Sequence, residues 1–384
     1  MHYFVTGLLG IAALLWIVCA WAFVRGVPTI PSLADVPPLE DGECPSVSIL
    51  FAARDEAEKL PAALETMLAL DYPRYEVVAT DDRSGDATET ILKRAAEQDA
   101  RLKRVRVDSL PAGWLGKSHA LEKAFENSSG EWLVFTDADV HFEPSVLRRS
   151  IALAESRGWD HMPLLGRPKM HGLGEKIAMT FFGVGFLVGI RPWSASNPNS
   201  RAYAGVGAFQ LIRRSSYEAI GTHRRLAMEV IDDVKLGKLV KEGGFRSGVA
   251  KAGTAVMVHW HAGIRNMVRG TEKNFFAASG FRLPVTLMQI LGLLYLSVFP
   301  WVALGFAHGW AFRFACACVG IAILAHASVA IEFGVSPLYA LSHPLGALIY
   351  AWMLGNSTVA TLRHGGITWR GTFYPLEELK RGVV

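Results

Sequence analysis

The residues with the clearest chemical potential are four clusters of acidic side chains in the middle of the 384-residue chain. They are Asp55-Glu56, Asp81-Asp82, Asp137-Ala138-Asp139 and Asp232-Asp233. Carboxylates bind divalent cations, accept hydrogen bonds and take protons from attacking hydroxyl groups. Acidic residues at a helix start also satisfy free N–H groups and favour the helix dipole. Helix capping is therefore the alternative explanation for these clusters.

The third cluster points most directly to a metal ion. Asp137 and Asp139 follow a predicted strand, two residues apart, where two carboxylates repel each other unless a cation lies between them. Hard divalent ions prefer such oxygen ligands and keep positions open for substrate phosphates. The sequence predicts Mg²⁺ or Mn²⁺ at Asp137 and Asp139, with a polar loop start as the alternative.

The second and fourth clusters are suited to substrate contacts. Asp82 opens a run of spaced polar residues that continues to Thr88, and its carboxylate could accept hydrogen bonds from a nucleotide base or ribose. Asp233 lies beside Asp232 at the start of a predicted helix. There it could act as a general base that takes the proton of a hydroxyl group as a new bond forms.

Alternating strands and helices are predicted to bring the clusters together. The predicted strands are Val47–Ala52, Tyr75–Thr80, Arg104–Val107 and Trp132–Thr136, with helices between them. Such units predict an α/β fold with a mainly parallel, Rossmann-like sheet and helices on both faces. Ligands of these sheets bind beyond the carboxyl ends of the strands, and the first three acidic clusters follow such ends.

The charge distribution predicts membrane segments on both sides of this domain. Residues 1–24 contain no Asp, Glu, Lys or Arg, and residues 283–362 contain only Arg313 and Glu332. We expect an N-terminal transmembrane anchor at 1–25, a catalytic domain at 40–275 and about three spans within 283–362. A cleaved signal peptide is the alternative at the N-terminus, but the first basic residue, Arg25, follows the apolar run.

Arg25 also favours a cytoplasmic position for the catalytic domain. The basic tail, 363–384, favours the same side, whereas three full C-terminal spans would place it on the other; the number of spans stays open. Two prolines, Pro337 and Pro344, could kink the last apolar segment or make it re-entrant. The apolar stretch near 175–190 is predicted to be a buried or interfacial segment.

Composition excludes several classes of protein. A net charge of +4 without a concentrated basic face gives no indication of a nucleic-acid partner. Three of the four cysteines lie in apolar segments, which leaves no disulfide or zinc framework. A transporter would need more ionisable residues inside its spans than Glu332, His326 and His343.

In their order and spacing, the four clusters resemble those of the family-two glycosyltransferases of GT-A fold. The resemblance covers roughly residues 46–250 and includes Ala53-Arg54-Asp55-Glu56, the Asp82–Thr88 motif, Asp137-Ala138-Asp139 and Asp232-Asp233. It implies a catalytic role for Asp233 with Asp232, and metal binding by Asp137 and Asp139. It also implies that the donor is bound by Arg54, Glu56, Asp82, Lys117 and Asp137. Lys117 ends a Gly-Lys element, although a solvated lysine at a helix start is the alternative.

Within the family, the outline is similar to membrane-bound enzymes that glycosylate hopanoids, carotenoids or ceramides. An anchor before the domain, spans after it, Gly113-Trp114-Leu115-Gly116-Lys117 and the tail Trp369-Arg370-Gly371-Thr372-Phe373-Tyr374 carry this likeness. It implies an inverting enzyme of the bacterial inner membrane that transfers one sugar from a nucleotide sugar, UDP-linked by expectation, to a lipid. The alternatives are a polysaccharide synthase and a non-catalytic nucleotide-sugar-binding protein.

One departure argues against glycan elongation. Processive synthases carry a Gln-x-x-Arg-Trp motif, and the nearest stretch here has Asn266 and Gly270 in place of the Gln and Trp. Arg265 and Arg269, one helical turn apart, could still bind an acceptor's phosphate or lipid headgroup, with plain interfacial residues as the alternative. His259-Trp260-His261 is a possible metal pair, but packing or acceptor contact is the favoured interpretation.

Overall fold

The chain divides into two compact units in a computed structural model that describes residues 2–258 and 263–384. The first unit, called the α/β unit below, comprises Ile30–Lys169, Pro192–His259 and Thr368–Val384. The second, called the helical unit, comprises Met1–Thr29, Met170–Arg191 and Trp260–Ile367. The predicted His259-Trp260-His261 motif lies outside the described residues.

Strands and helices alternate along the α/β unit, whereas helices make up most of the helical unit. The strands are β1 Val47–Ala53, β2 Tyr75–Asp82, β3 Leu102–Val107, β4 Trp132–Asp137, β5 His141–Phe142, β6 His161–Pro168, β7 Gln210–Arg213, β8 Ala250–Val258, β9 Gly366–Trp369 and β10 Thr372–Pro375. The helices are α1 His2–Gly26, α2 Leu60–Leu68, α3 Thr88–Gln98, α4 Gly116–Glu126, α5 Val146–Arg157, α6 Leu173–Ile190, α7 Arg214–Ala219, α8 Asp232–Glu242, α9 Ile264–Thr271, α10 Asn274–Ala278, α11 Leu283–Ser297, α12 Phe299–Ala303, α13 Gly309–Glu332, α14 His343–His364 and α15 Leu376–Arg381. Short 3₁₀ turns occupy Val27–Thr29, Leu33–Asp35, Asp41–Glu43, Pro192–Ser194, His223–Leu226 and Pro337–Ser342.

The large sheet of the α/β unit has the order β3-β2-β1-β4-β7-β6-β8-β5. Strands β3, β2, β1 and β4 are mutually parallel, as are β6 and β8. Strand β7 runs antiparallel to both neighbours, and β5 is antiparallel to β8. The prediction of an α/β fold with a mainly parallel sheet is confirmed.

Helices cover both faces of the sheet because successive side chains of β1 alternate between two cores. Ile49 and Phe51 pack in a core that includes residues of α2, α3 and α5. Leu50 packs in the other core with residues of α4, α7 and α8. A strand buried on both faces has an unbroken apolar sequence, which explains why VSILFA was recognisable.

The bounds of the edge strand β3 differ from the predicted ones. It begins at Leu102, two residues before the predicted start, and pairs with β2 through Leu102 opposite Val77. Lys103 and Arg104 are exposed within it. An edge strand that buries few side chains gives a weak sequence pattern, so backbone pairing rather than apolar composition decides where it begins.

The helical unit contains helices long and apolar enough to cross a membrane. By length and composition these are Tyr3–Thr29, Leu173–Ser194, Leu283–Ala303, Gly309–Glu332 and Pro337–His364. The segment predicted to be interfacial, near 175–190, thus falls in a helix of spanning length. Leu9 of α1 packs against Ala303, Ala311 and Ala315. Small residues at such contacts let helices approach closely.

Prolines set the boundaries of the C-terminal helices. Pro300 lies in the first turn of α12, after a break at Val298 that separates α12 from α11. Pro337 and Pro344 likewise lie at the starts of a 3₁₀ turn and of α14, where the missing N–H has no helical acceptor to lose. They start helical segments and do not kink the middle of one.

Candidate functional site

A partly buried lysine lies among the acidic clusters of the α/β unit. Lys117, in the first turn of α4, places its Nζ 2.9 Å from Asp137 Oδ1 at the end of β4. The same Nζ is 3.6 Å from Asp232 Oδ1 at the start of α8. Burial by itself would lower the pKa of Lys117, but the charges of Asp137, Asp232 and Asp233 outweigh it and raise the pKa. The ammonium group therefore stays charged.

Asp233 is held in place by backbone donors. The Gly207 N–H donates to its Oδ2 at 2.8 Å, and the Val234 N–H donates to its Oδ1 at the same distance. Burial and the neighbouring charge of Asp232 raise the pKa of Asp233, although Lys117 acts in the opposite direction. A carboxylate with a raised pKa is a stronger base than an exposed one, which is the property a general base requires.

Asp232 belongs to a different set of contacts. Its carboxylate lies between Lys117 and the buried His223, whose Nε2 is 3.7 Å from Asp232 Oδ2. His223 is fixed in turn by the Tyr217 hydroxyl, 2.6 Å from its Nδ1. Asp232 thus lies between Lys117 and the His223–Tyr217 pair, where it is well placed to orient the Lys117 ammonium.

Two glycines that the sequence interpretation missed allow the carboxylates to approach. A Cβ atom at Gly207 would lie 3.0 Å from Asp137 Oδ2 and 3.2 Å from Asp233 Oδ2. A Cβ atom at Gly205 would lie 1.8 Å from the Asp233 carbonyl oxygen. The segment Ala204-Gly205-Val206-Gly207-Ala208, with small residues at four of its five positions, was the available sequence signal.

If the site performs the sugar transfer that the sequence resemblance implies, Gly207→Ala should lower that activity by about 10- to 100-fold, because displacing reacting groups by up to 1 Å has costs of this size. The added methyl would have to fit between the carboxylates of Asp137 and Asp233. Initial rates, together with thermal unfolding to verify the fold, measure the effect. Gly42→Ala is the matched control, since nothing lies within 4 Å of a Cβ atom there. Equal rates for both variants would contradict this geometry.

The two aspartates predicted to bind a metal ion form ion pairs with two different lysines. Asp137 pairs with Lys117, whereas Asp139 Oδ2 is 2.8 Å from Lys59 Nζ. No cluster of three or more His, Cys, Asp or Glu side chains arranged for a metal occurs among the described residues. Asp137 and Asp139 still offer the oxygen ligands that Mg²⁺ or Mn²⁺ prefers, and the negative charges of Asp232 and Asp233 near Asp137 favour a cation there. Mg²⁺ often binds through one or two carboxylates plus substrate phosphates.

The two buried carboxylates of the second cluster have different partners. Asp81 is fully buried and pairs with Arg106, and its Oδ1 accepts the Ser84 N–H at 3.2 Å. Asp82 is held by Arg83, with Nε–Oδ1 at 2.8 Å and Nη2–Oδ2 at 3.1 Å. Arg54 Nη1 is 3.8 Å from the same carboxylate. Arg54 and Asp82, both predicted to bind the donor, are therefore neighbours.

The polar residues after Asp82 form hydrogen bonds with the loop that carries the first cluster. The Glu56 N–H donates to Thr88 Oγ1 at 2.9 Å, and the Ala57 N–H donates to Asp86 Oδ2 at 3.0 Å. Asp55 Oδ1 in turn accepts the Gly85 N–H at 2.8 Å. Asp86 and Thr88 thus connect the two loops through hydrogen bonds. The Glu56 side chain forms an ion pair with Arg370.

The remaining predicted residues lie in the helical unit. Arg265 and Arg269 are exposed on one face of α9, while Met267 and Val268 between them are buried. This amphipathic pattern agrees with basic residues at an interface and does not assign them an acceptor.

Comparison with known proteins agrees with this architecture. Residues 48–161 match the model of Glycosyl transferase family 2. A 4,4'-diaponeurosporenoate glycosyltransferase of Staphylococcus haemolyticus is 24% identical over 249 residues, 64% of this chain and 65% of that protein. A beta-monoglucosyldiacylglycerol synthase of Synechocystis is 32% identical over 159 residues, 39% of this chain and 32% of that protein. The chain thus spans just under two thirds of the first relative's length and about a third of the second's.

A solved structure extends the similarity over nearly the whole chain. It is a mannosyltransferase of Pyrobaculum calidifontis in complex with GDP-Man and Mn²⁺, with a TM-score of 0.53 and 18% identity. The match covers 94% of this chain and 98% of that one. At this identity the likeness establishes the fold, which is GT-A, as the resemblance predicted.

Proposed function

We propose that this chain, whose residues 48–161 are a glycosyltransferase family 2 domain, is a membrane-bound inverting enzyme that transfers one sugar to a lipid. The donor is a nucleotide sugar, which we expect to be UDP-linked. The observation that carries the proposal is the convergence of Lys117, Asp137, Asp232 and Asp233 at the carboxyl end of β4 and the start of α8.

Relatives and helices support a lipid acceptor. The names of two relatives include lipids, 4,4'-diaponeurosporenoate in a glycosyltransferase and monoglucosyldiacylglycerol as the product of a synthase. A third, of Pseudomonas syringae, is an undecaprenyl-phosphate 4-deoxy-4-formamido-L-arabinose transferase, 34% identical over 119 residues. The five apolar helices of spanning length give this chain the means to reach a membrane-embedded acceptor. Exposed Arg265 and Arg269 on α9 are candidates for contact with its headgroup.

The reaction proposed is a single displacement. Asp233 takes the proton of the acceptor hydroxyl while its oxygen attacks the anomeric carbon of the sugar. The bond from that carbon to the diphosphate breaks, and its electron pair leaves with the nucleoside diphosphate. Attack from the opposite face converts an α-linked donor into a β-linked product. Asp232 orients the base, and the Lys117 ammonium supplies positive charge near the departing diphosphate.

A divalent cation fits the same site. Asp137 and Asp139 would hold Mg²⁺ or Mn²⁺, which would neutralise the charge on the diphosphate. Arg54 and Glu56 lie in the loop after β1, and Asp82 is the last residue of β2, where they would bind the nucleotide portion of the donor.

Labelled donors test the proposal. Membranes containing the protein are incubated with labelled nucleotide sugars, and lipids are extracted and compared with membranes containing the Asp233→Asn variant. We expect label in one lipid fraction, one sugar per lipid and a β-linkage. Products with growing numbers of sugars would instead indicate a polysaccharide synthase. Label in no lipid fraction, for any donor, would exclude lipid glycosylation, and binding without turnover would indicate a non-catalytic protein.

The location proposed is the bacterial inner membrane, with the α/β unit in the cytoplasm. It is supported by Arg25 at the end of α1, since basic residues concentrate on the cytoplasmic side. Protease treatment of right-side-out and inverted vesicles tests it, because only inverted vesicles should expose the α/β unit. Cleavage in right-side-out vesicles would reverse the orientation.

A further inference from the structure

The chain after Thr368 folds back within the α/β unit as a hairpin. Strands β9 and β10 are joined by Arg370-Gly371, with φ angles of 49° and 77°. Two consecutive positive φ values are typical of the tight turn that best fits twisted hairpin strands. Arginine rarely adopts this conformation, because its Cβ atom is crowded there. Contacts made by the side chain have to offset that cost.

Those contacts are with the first acidic cluster. The Arg370 guanidinium forms an ion pair with the Glu56 carboxylate and donates to the Asp55 carbonyl oxygen at 3.4 Å. The Arg54 Nη1 donates to Thr372 Oγ1 at 3.4 Å. Burial raises the pKa of Glu56, and the charge of Arg370 acts against that rise. The turn therefore lies against Arg54, Asp55 and Glu56 together.

Tyr374 makes the second connection, to the loops after β2 and before α4. Its hydroxyl accepts the Gly116 N–H at 3.2 Å, the ring is buried, and its interaction with the Arg83 guanidinium helps to raise the pKa of Arg83. A Cβ atom at Gly116 would lie 2.4 Å from Asp82 Oδ2 and 3.0 Å from Arg83 Nη2. Tyr374 thus lies where the Asp82–Arg83 pair meets the residue preceding Lys117.

Both loops are strained where the tail touches them. Asp55 has a φ of 54° and Arg83 a φ of 59°. Left-handed backbone at non-glycine residues persists only where surrounding contacts determine it, and it is concentrated at functional sites. The tail contacts the Asp55 carbonyl through Arg370 and the Arg83 side chain through Tyr374.

We infer that Arg370 and Tyr374 are positioning residues of the donor site, and that the 368–375 hairpin holds its loops in the conformation that receives the nucleotide diphosphate. This inference rests on the proposed function. Three guanidinium groups, of Arg54, Arg83 and Arg370, converge on the two carboxylates of Asp82 and Glu56. Guanidinium groups form the paired, charge-assisted hydrogen bonds that bind phosphate oxygens, so these arginines suit a ligand that carries a diphosphate.

Equilibrium binding to the full, detergent-solubilised chain tests the inference, with UDP and GDP, each in Mn²⁺, as probes. Tyr374→Phe and Arg370→Gln should each raise the Kd of the better-bound nucleotide by about tenfold, the usual worth of one such hydrogen bond. The donor KM should rise in parallel, while kcat at saturating donor stays unchanged. Arg370→Lys should be intermediate, because it keeps the charge but loses the planar group.

Phe373→Ala is the matched control, since this side chain lies between Thr372 and Tyr374 but is half exposed. It should bind both nucleotides as the unaltered chain does. Amide hydrogens of 368–375 should exchange more slowly when the nucleotide and Mn²⁺ are added. Unaltered binding by both Tyr374→Phe and Arg370→Gln, or a fall in kcat alone, would overturn the role of the tail. If the unaltered chain binds neither nucleotide, the proposed function falls with it.

Discussion

Replacing Asp233 by asparagine should lower the rate of sugar transfer by about two to four orders of magnitude, the usual worth of a positioned general base. Asparagine keeps the shape of the side chain and can still accept the Gly207 N–H, but it cannot take the acceptor's proton. Donor binding should survive, because Arg54 and Asp82 follow other strands. Single-turnover rates and the Kd of the nucleotide diphosphate measure the two effects separately.

Asp232→Asn is the matched comparison and should be milder. It removes the charge that lies between Lys117 and His223 but leaves the proposed base in place. Equal losses for both variants, or a sugar covalently bound to Asp233, would contradict a single displacement with Asp233 as the base.

The pH dependence should report the same base. Burial and the charge of Asp232 raise the pKa of Asp233 above its ordinary value of 3.8. Only the ionised form accepts a proton, so activity should fall as the pH drops through this raised pKa and should be constant above it. A rate–pH profile measures this acid limb, which should disappear from the residual activity of Asp233→Asn. Retention of the limb in the variant would assign it to another group.

Removing divalent cations should lower turnover by about three orders of magnitude, because a metal ion on a transferring group contributes several kcal/mol of charge stabilisation. Added Mg²⁺ or Mn²⁺ should restore it. Asp137→Asn and Asp139→Ala should resemble the chelated enzyme and respond weakly to added metal. Rates across a metal titration measure this, and full turnover in excess chelator would contradict the metal assignment.

Stability provides the control for these variants. Asp139 pairs with Lys59, whose side chain is 47% exposed, and such surface pairs are worth about 0–1 kcal/mol. The free energy of unfolding should therefore change by no more than about 1 kcal/mol in Asp139→Ala. A larger loss would show that Asp139 stabilises the fold, and its effect on turnover would then not identify a metal ligand.

The sequence alone determined the class of fold and the chemical type of the site. Strands β1, β2 and β4 are largely buried on both faces, so their sequences are mostly apolar and their ends are recognisable. The acidic residues at those ends follow from the rule that ligands of parallel sheets bind beyond the carboxyl ends of strands. Apolar segments with few charges likewise indicate four of the five helices of spanning length, whereas Leu173–Ser194 covers the stretch that the sequence predicts to be buried or interfacial.

Only the tertiary structure decided which side chains meet. Lys117 and Asp232 are 115 residues apart in sequence. No local sequence pattern predicts that the Lys117 ammonium lies between carboxylates of β4 and α8. Asp81 and Asp82 look alike in the sequence and both are buried, yet Asp81 pairs with Arg106 and Asp82 with Arg83. Burial and pairing of this kind depend on packing between distant segments.

The same reason explains the residues that sequence analysis did not place in the site. Gly207 matters because α8 and β4 bring two carboxylates close to its backbone. The sequence around a glycine does not indicate which distant side chains approach it. The sequence of Trp369-Arg370-Gly371-Thr372-Phe373-Tyr374 carries a family resemblance but indicates no role for the segment. Its contacts with Glu56 and Gly116 span more than 250 residues of chain. Local propensity determines the elements, but long-range packing brings their side chains together, and so decided the composition of this site.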